Sequence, residues 1–282
     1  MERHLRCAGK AGTGKTTLTA SLARLDFPKL MLDADVDAAN LSMLTGAKGF
    51  MSEKFIDGQT AEIDSETCIA CGICHDKCRF DAIIPGESSY SVDLHSCEGC
   101  GVCKLVCPQD AVTMSDSDAG TLLGSETPYG LLLHGNLSAG RDNSGKMVTR
   151  LREIAKEKAK PGDTILIDGP PGIGCQTIAA LTGVDYVIVV TEPSLSAIHD
   201  MERLFDLIDH FGINSGVVLN RYDINKELSE RIRDIAAEKN SSVLCRIPFD
   251  RRIYSGITDG ITPFEIDADY RAKIKTLYDL IP

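Results

Sequence analysis

The sequence predicts an α/β fold: a doubly wound, mostly parallel sheet into which a smaller, cysteine-rich domain is inserted. Two observations predict the sheet. Short apolar strands alternate with amphipathic helices over most of the chain, and a glycine-rich turn leads from the first strand into the first helix. A third predicts the insertion, since eight of the eleven cysteines lie where this alternation stops. We therefore divide the 282 residues into a sheet domain, 1–60 and 118–282, and an inserted domain, 61–117.

The elements before the insertion open with a strand that carries Arg6 and Cys7. A strand buried in a parallel sheet is usually apolar, so Arg6 leaves open whether these first residues pair like the rest of the sheet. After the glycine-rich turn we predict a helix over 16–24 and a strand over 29–32 that ends at Asp33.

The elements after the insertion continue the alternation. Continuous apolar, β-branched runs predict strands that are buried on both faces. The predicted strands cover 164–167, 186–190, 216–219 and 243–247. Amphipathic segments predict helices over 147–160, 196–211, 226–239 and 268–280, the first stopped by Pro161-Gly162 and the second by Gly212. We expect the final helix to pack on the sheet rather than to bind a membrane.

Composition narrows the classes of function. The net charge is −11 and no basic block is visible, which argues against nucleic-acid binding. No apolar run approaches the roughly 20 residues that span a bilayer. The chain runs from its first residues straight into the glycine turn, leaving no room for a signal peptide, so we expect a cytoplasmic protein. In that compartment eleven cysteines favour metal over disulfides.

The glycine-rich turn has the spacing of a phosphate-binding loop. Residues 9–16 read G-K-A-G-T-G-K-T, which matches G-x4-G-K-[ST]. The glycines allow backbone N–H groups to surround phosphate oxygens, and the following helix adds its positive dipole end. We expect Lys15 to reach the β- and γ-phosphates of ATP and the Thr16 hydroxyl to bind Mg²⁺.

Carboxylates follow two of the predicted strands. Asp33 and Asp35 come after the second strand, and Asp168 follows the strand over 164–167. Because ligands bind at the carboxyl ends of parallel strands, all three are candidates for one Mg–phosphate site. Asp37 is the expected cap of the next helix.

Together these segments resemble the MinD/ParA superfamily of ATPases, related to the nitrogenase iron protein and to Mrp-type cluster carriers. Lys10 ahead of residues 12–17 is similar to their deviant Walker A motif, and residues 32–35 with Asn40 to their second motif. Residues 168–172 resemble Walker B and switch II, and residues 220–223 and 248–250 the base-binding segments. The resemblance covers nearly the whole chain.

The resemblance implies a site and a reaction. Lys10 would reach the partner's phosphates across an ATP-dependent homodimer, and Asp35 would orient the attacking water. Asp168 would hold Mg²⁺, and Asn220 would contact adenine. The nucleotide-binding set is Gly12, Thr13, Gly14, Lys15, Thr16, Thr17 and Asn220. The reaction would be ATP hydrolysis, slow without a partner. Ala11 stands where the family has glycine, which would tighten the loop.

The inserted cysteines form two copies of C-x2-C-x2-C-x3-C, spaced 29 residues apart. This pattern resembles a bacterial ferredoxin with two [4Fe–4S] clusters, an α+β domain in which the fourth cysteine of each run serves the other cluster. The implied ligands are Cys68, Cys71, Cys74 and Cys107 for cluster 1, and Cys97, Cys100, Cys103 and Cys78 for cluster 2. Zinc is the alternative, which two such evenly spaced runs disfavour. Pro108 follows the second run as expected, whereas Arg79 follows the first.

Three cysteines remain outside the repeat. Cys7 and Cys245 lie in predicted strands, where a free cysteine is usually a small buried hydrophobe. Cys175 lies in the segment that resembles switch II, near the place of a cluster ligand in the nitrogenase iron protein. We favour an inert or gating Cys175 over a third cluster shared between two subunits.

Three functions stay open at this point. The first is an ATPase that controls electron transfer through two clusters to an unidentified redox partner. The second is a carrier or assembly ATPase that delivers a cluster to a client protein, although the chain has no C-x-x-C outside the insertion. The third is a MinD-like nucleotide switch in which the clusters are structural or sense redox state.

Overall fold

The structure is a computed structural model that describes residues 3–138, 140 and 143–282, with the side chains of 254 and 258 left out. The first two residues, which bear on the expectation about a signal peptide, lie outside the described residues. Within the described part the strands are β1 (Arg3–Ala8), β2 (Lys29–Asp33), β3 (Lys48–Ile63), β4 (Ile83–Ile84), β5 (Ser91–Val92), β6 (Val112–Thr127), β7 (Gly130–Leu137), β8 (Thr164–Asp168), β9 (Tyr186–Thr191), β10 (Asn214–Asn220) and β11 (Ser242–Ile247).

The helices alternate with these strands. They are α1 (Lys15–Ala23), α2 (Leu41–Thr45), α3 (Ile73–Lys77), α4 (Val102–Val106), α5 (Ser144–Lys158), α6 (Cys175–Leu181), α7 (Leu195–Phe211), α8 (Lys226–Glu238), α9 (Arg251–Thr258), α10 (Pro263–Ile266) and α11 (Ala268–Asp279). The predicted helices and strands that flank the glycine turn and follow residue 146 are present, each within a few residues of its expected ends.

The main sheet has nine strands in the order β11-β10-β9-β1-β8-β2-β7-β6-β3. The pairs from β11 to β7 are parallel, as predicted. β6 and β7 are joined by two residues only, a connection that antiparallel strands alone can make. The strand order places the carboxyl ends of β1, β2 and β8 side by side.

β1 lies in the middle of this sheet despite Arg6. It pairs with β8 from Arg3 opposite Thr164 to Cys7 opposite Asp168, and with β9 on its other side. Arg6 is 0% exposed and is the largest of the fully buried side chains described. The doubt that Arg6 raised about this pairing is therefore resolved: the strand is regular and the sheet accommodates a buried guanidinium.

One face of the sheet packs on α1 and α11. Leu5 and Leu166 of the sheet join Leu18 of α1 and Ile274 and Leu277 of α11 in one buried cluster. The final helix thus packs on the sheet, as expected. Among the described helices none is both long and apolar enough to cross a bilayer.

Neither the two-residue strands β4 and β5 nor the longer strands β3, β6 and β7 are predicted from the sequence. β3 and β6 each run for 16 residues, and most of β3 is exposed. An apolar run of the kind that identifies β9 is absent from β3, because only a strand buried on both faces needs one.

The chain divides into two units. The first contains the described residues up to Ser52, then Leu122–Asn136 and Ser144–Pro282, and it holds the glycine loop and the parallel strands. The second contains Glu53–Thr121 and Leu137–Asn143. The predicted insertion, 61–117, falls inside this second unit. The unit also takes in residues 53–60, 118–121 and 137–143, which we predict from the sequence to belong to the sheet domain.

The second unit repeats its backbone every 29 residues. Ala70 and Gly99, Gly72 and Gly101, and Asp81 and Asp110 all have positive φ, in pairs separated by that interval. Each of two short helices, α3 and α4, begins after one of these glycines, and the two helices pack together. The sequence repeat is therefore also a structural repeat.

Candidate functional site

The glycine loop joins β1 to α1 and depends on residues without a Cβ. At Gly9, with φ 149°, a Cβ would lie 2.1 Å from the Val190 carbonyl oxygen. At Gly14, with φ 98°, it would lie 2.8 Å from Nδ2 of Asn220. These close approaches hold the loop against the ends of β9 and β10, where its N–H groups can face a phosphate.

Ala11 does not strain this loop. It is exposed, and it is absent from the described non-glycine residues with positive φ, so alanine adopts the backbone here at no steric cost. The expectation of a tightened loop therefore finds no support in the backbone conformation.

The two lysines of the loop differ in environment. Lys15 is buried and donates from Nζ to the Lys10 carbonyl oxygen at 2.9 Å, an oxygen that also accepts from Thr13 Oγ1 at 2.8 Å. Burial lowers the pKa of Lys15, while the charges of Asp168 and Asp35 raise it. The Lys10 side chain instead leaves the loop and donates to Ser196 Oγ at 2.5 Å, at the exposed start of α7.

Asp168 lies at the end of β8, below the loop. It is 1% exposed, and its Oδ1 accepts from Thr19 Oγ1 at 3.0 Å. Burial raises the pKa of its carboxyl, while hydrogen bonds from Thr16 and Thr19 and the charge of Lys15 lower it. A carboxylate beside the Thr16 hydroxyl is the donor pair that a phosphate-bound Mg²⁺ requires. Thr19, one turn after Thr16, was not anticipated.

Asp33 and Asp35 separate into different roles. Asp33 is 1% exposed, and its carboxylate accepts from the backbone N–H groups of Asp35, Asn40 and Leu41, so it fixes the turn and the start of α2. Burial and then the charge of Asp168 raise the pKa of Asp33. Three of the acceptor positions of this carboxylate are used by backbone N–H groups. The structure shows Asp33 as the residue that holds the turn, and its contact with Mg²⁺ stays a prediction.

Asp35 faces the loop instead. It is half-buried, and burial raises its pKa while the nearby Lys15 lowers it. Asp37, the expected helix cap, accepts from Gln176 Nε2 at 3.1 Å. Backbone N–H groups at the start of α2 are bonded to Asp33 instead. An acid that senses the Lys15 charge is suitably placed to orient water near the γ-phosphate.

Beside the loop lies a cavity of about 460 Å³, a volume that suits a small-molecule site. Its lining combines the loop, the ends of β9, β10 and β11, and the segments that follow β11. The residues include Gly14, Thr17, Leu18, Asn220, Pro248, Phe249, Asp250, Ile253 and Tyr270. The segments 220–223 and 248–250 that resemble base-binding motifs are thus brought together. Tyr270, far along the chain, carries no local signal that would have identified it.

Asn220 is already engaged in this cavity wall. Its Nδ2 donates to the Thr13 carbonyl oxygen at 2.9 Å, and its Oδ1 accepts from the backbone N–H of Arg221 at 3.0 Å. The Nδ2 group therefore supports the glycine loop, while Oδ1 holds the backbone directly after β10. Contact of Asn220 with adenine stays a prediction.

In the second unit the repeated cysteines line two cavities. The first cysteine cavity is bordered by Cys68, Cys71, Cys74 and Cys107. The second cysteine cavity is bordered by Cys97, Cys100, Cys103 and Cys78. Each cavity takes three cysteines from one run and the last cysteine of the other, the exchange that the resemblance to two-cluster ferredoxins implies.

The walls of these cavities supply backbone donors to sulfur. The N–H of Ala61 points to Cys97 Sγ at 3.5 Å, and that of Ala111 to Cys107 Sγ at 3.3 Å. Burial raises the pKa of Cys74 and of Cys103, and the neighbouring thiols of each raise it further. This further rise in pKa reflects the cost of placing several thiolate charges close together. A bound metal cation offsets this cost and stabilises the deprotonated thiolates.

Two aspartates support the cysteine runs and were not anticipated. Asp64 accepts from the Thr67 hydroxyl and Asp93 from the Ser96 hydroxyl, at 2.5 and 2.7 Å, each just before the first cysteine of a run. The two aspartates are 29 residues apart, as are the two cysteine runs, so the sequence repeat could have identified them.

The remaining cysteines are separate from both cavities. Cys7 and Cys245 are buried in β1 and β11, as expected of small core residues, whereas Cys175 is exposed at the start of α6. In the part of the chain that the structure describes, no three or more His, Cys, Asp or Glu side chains converge as they would on a single metal ion. The eight repeated cysteines border cavities instead.

Comparison with known proteins agrees with the geometry of the glycine loop and the parallel sheet. Residues 5–264 match the family model of the CobQ/CobB/MinD/ParA nucleotide binding domain. An uncharacterized protein of Methanocaldococcus jannaschii, MJ0578, is 32% identical over 96% of this chain and 93% of its own length. The chloroplastic septum site-determining protein minD homolog of Arabidopsis thaliana is 25% identical over 90% of this chain and 65% of its own length.

A solved structure shares the fold. The septum site-determining protein MinD of Pyrococcus horikoshii OT3, complexed with Mg-ADP, has a TM-score of 0.59 at 20% identity, over 99% of this chain and 96% of that one. The predicted mostly parallel α/β architecture is confirmed by this likeness and by the sheet described above.

Proposed function

Because the chain belongs to the CobQ/CobB/MinD/ParA nucleotide-binding family, whose MinD/ParA-type members hydrolyse ATP, we propose that it is an ATPase that controls electron transfer through two [4Fe–4S] clusters. One observation carries the redox part of the proposal. A chain with a phosphate loop also holds two cavities, each bordered by four cysteines drawn from both copies of the repeat.

Hydrolysis rests on residues at the ends of β1, β2 and β8. Lys15 and the loop N–H groups bind the phosphates, and Thr16 and Asp168 hold Mg²⁺, which neutralises phosphate charge. Asp35 orients the attacking water. This is catalysis by positioning and charge, without a covalent intermediate. The Pyrococcus horikoshii relative bound to Mg-ADP supports the choice of ligand.

Lys10 acts between two copies of the chain. The resemblance to MinD/ParA ATPases implies an ATP-dependent homodimer, and in this chain the Lys10 side chain points away from its own loop, to Ser196. We assign it to the phosphates of a partner subunit, so that ATP closes a homodimer. The side chain exchanges one hydrogen bond at Ser196 for a charge-assisted bond to phosphate.

The cysteine cavities fit the group assigned to them. Each offers four thiols around a space rather than around a point, and backbone N–H groups are directed at sulfur in both. The first cysteine cavity would hold one cluster through Cys68, Cys71, Cys74 and Cys107, and the second another through Cys97, Cys100, Cys103 and Cys78. When bound, such a cluster accepts and donates one electron at a time, at a potential set by hydrogen bonds and exposure.

Anaerobic purification followed by electron paramagnetic resonance of the reduced protein tests this function. We expect about eight iron atoms per chain and signals from two clusters, with midpoint potentials that change when Mg-ATP is added. A protein purified without iron that still hydrolyses ATP would contradict electron transfer through clusters but not the ATPase activity. Two clusters whose potentials and rate of reduction are the same with and without ATP would contradict the control of electron transfer by nucleotide.

A MinD-like nucleotide switch is the second candidate, favoured by the likeness to the chloroplastic minD homolog. In that case the cysteine cavities are structural or sense redox state, and ATP changes the binding of a partner rather than electron flow. The resonance experiment separates the two, since a switch retains its clusters without a change of potential on adding ATP.

A further inference from the structure

Arg6 is a buried cation in a strand whose neighbours are apolar. Leu5 and Cys7 face α1, so Arg6 between them points to the opposite face of the sheet, towards α5 and α6. Its Nη1 donates to the Thr177 carbonyl oxygen of α6 at 2.9 Å, while Nε and Nη2 have no hydrogen-bond partner. A buried charge that is only partly hydrogen-bonded is costly, so its presence calls for a role.

The guanidinium lies against the loop that follows Asp168. This loop, residues 169–174, reads G-P-P-G-I-G and leads into α6. A Cβ at Gly169 would lie 2.6 Å from Nε and 2.9 Å from Nη2 of Arg6, and 2.5 Å from the Cys7 carbonyl oxygen. Glycine at 169 therefore makes room for the arginine, and the two unpaired nitrogens are the ones that face it.

The 169–174 loop is held at its two ends. At the first, the N–H of Gly169 donates to the Cys7 carbonyl oxygen at 2.9 Å. At the second, the Gly172 carbonyl oxygen accepts from Thr177 Oγ1 at 3.0 Å. Between these points Pro170 and Pro171 have no N–H to donate. Arg6 contacts both ends, Gly169 directly and Gly172 through Thr177.

We propose that Arg6 is a positioning residue that couples the 169–174 loop to α6, with its two unpaired N–H groups forming hydrogen bonds to loop carbonyls when nucleotide and Mg²⁺ draw the loop beside Asp168. The planar guanidinium presents its donors in a rigid fork, so it can hold acceptors in fixed directions on two sides at once, whereas an ammonium presents three freely rotating donors at a single point. Through it, a change next to the phosphates reaches α6 and the exposed Cys175 at its start. The proposal rests on ATP binding at the site described and is independent of any cluster.

Arg152 provides a matched control. It is also buried, and it also donates to an α6 carbonyl, from Nη1 to Ala179 at 2.6 Å. Its charge acts on Arg6, but none of the three atoms nearest to a Cβ at Gly169 belongs to it. Replacing either arginine by methionine removes a buried cation near α6, but only Arg6→Met removes the contact with the loop.

Hydrogen exchange with and without Mg²⁺ and a slowly hydrolysed ATP analogue tests the coupling. In the wild type and in Arg152→Met we expect the analogue to slow amide exchange over 169–181. In Arg6→Met this slowing should fall by about tenfold or more, since exchange reports local opening. We also expect kcat to drop about tenfold while KM changes less than about threefold, as for an interaction made on the way to the transition state.

Two results would overturn the proposal. The first is amide exchange over 169–181 in Arg6→Met that the ATP analogue slows as much as in the wild type. The second is a loss of this slowing in Arg152→Met that equals the loss in Arg6→Met, which would show that the effect is a general destabilisation. If Arg6→Met does not fold, Arg6→Lys replaces it in the test, because lysine keeps the positive charge but lacks the planar guanidinium. Slowing of exchange over 169–181 equal to that of the wild type would then contradict the proposal, and a partial loss of this slowing would support it. Measurements on iron-free protein give the same answer whether or not the proposed electron transfer holds.

Discussion

At the scale of single residues, three aspartates that lie close together in sequence or in space have different partners and therefore different roles. Asp33 binds backbone N–H groups, Asp168 lies beside Thr16 and Thr19, and Asp35 senses Lys15. Their burial decides which of them can exchange partners during a reaction. Asp33 cannot do so without loosening the start of α2, whereas half-buried Asp35 can.

Substitution of these two neighbours separates chemistry from structure. Asp35→Asn should lower kcat by about 100-fold with KM changed less than threefold, because a carboxylate that positions water contributes about that much. Asp33→Asn should instead lower the free energy of unfolding by about 1–3 kcal/mol, since an amide N–H would face backbone donors. Phosphate release and urea unfolding measure the two effects. A kcat loss in Asp33→Asn at unchanged stability would contradict this division.

The sequence identified the phosphate loop because its backbone requires glycine at fixed positions, such as Gly9 and Gly14. It could not separate Asp33 from Asp37 as the residue that fixes the start of α2. Both are short acids ahead of the helix, and the choice depends on how the intervening turn folds back. Arg6 was recognised as anomalous, but its partner Thr177 is 171 residues away and only the fold brings them together.

At the scale of elements, the strands from β11 to β2 in the sheet order were predictable, whereas β7, β6 and β3 at its other end were not. β8 and β9 are buried along their whole length and therefore have continuous apolar sequences. β3 is largely exposed, so its sequence is polar, and a strand of that kind gives no clear alternation. The helices α3 and α4, of five residues each, are too short to show a helical period.

Each cysteine cavity is bordered by the last cysteine of the other run, and this exchange predicts which cluster is lost when a single cysteine is replaced. Cys78→Ala should reduce the iron content from about eight to about four atoms per chain, because it removes a ligand from the second cysteine cavity only. Cys107→Ala should have the same effect on the first. Cys245→Ala, which removes a buried thiol of β11, is the control and should leave iron unchanged. Iron analysis and resonance spectra give the readout.

A different result would reassign the ligands. If Cys78→Ala removed the signal of the cluster bound by Cys68, Cys71 and Cys74, each run would serve its own cluster and the crossed assignment would be wrong.

At the scale of the whole molecule, two units are built from one chain that leaves the first unit twice, after Ser52 and after Asn136, and returns to it each time. The cysteine repeat predicts the first of these departures, and an inserted domain there stays a prediction. The limits differ from the predicted ones, since residues 53–60, 118–121 and 137–143 belong to the second unit without any cysteine to mark them. Composition changes gradually where a strand such as β3 continues past the boundary.

Assembly is the property tested at this scale. We expect Mg-ATP to double the mass of the wild type in light scattering after size-exclusion chromatography, and Lys10→Ala to remain monomeric. Lys226→Ala, which removes an exposed lysine at the start of α8, is the control and should dimerise. Unchanged dimerisation of Lys10→Ala would assign this lysine to its own subunit.

The exchange of cysteines between the two copies of the repeat has a consequence for damage and repair. Cys78 borders the cavity of the later run and Cys107 that of the earlier run, so neither copy is self-sufficient. Oxidation of a single thiol deprives one cavity of a ligand, but oxidation of all four thiols of one copy deprives both cavities at once. Damage that spreads through one copy should therefore disable both cavities, and reconstitution of either cavity should require reduced thiols from both copies.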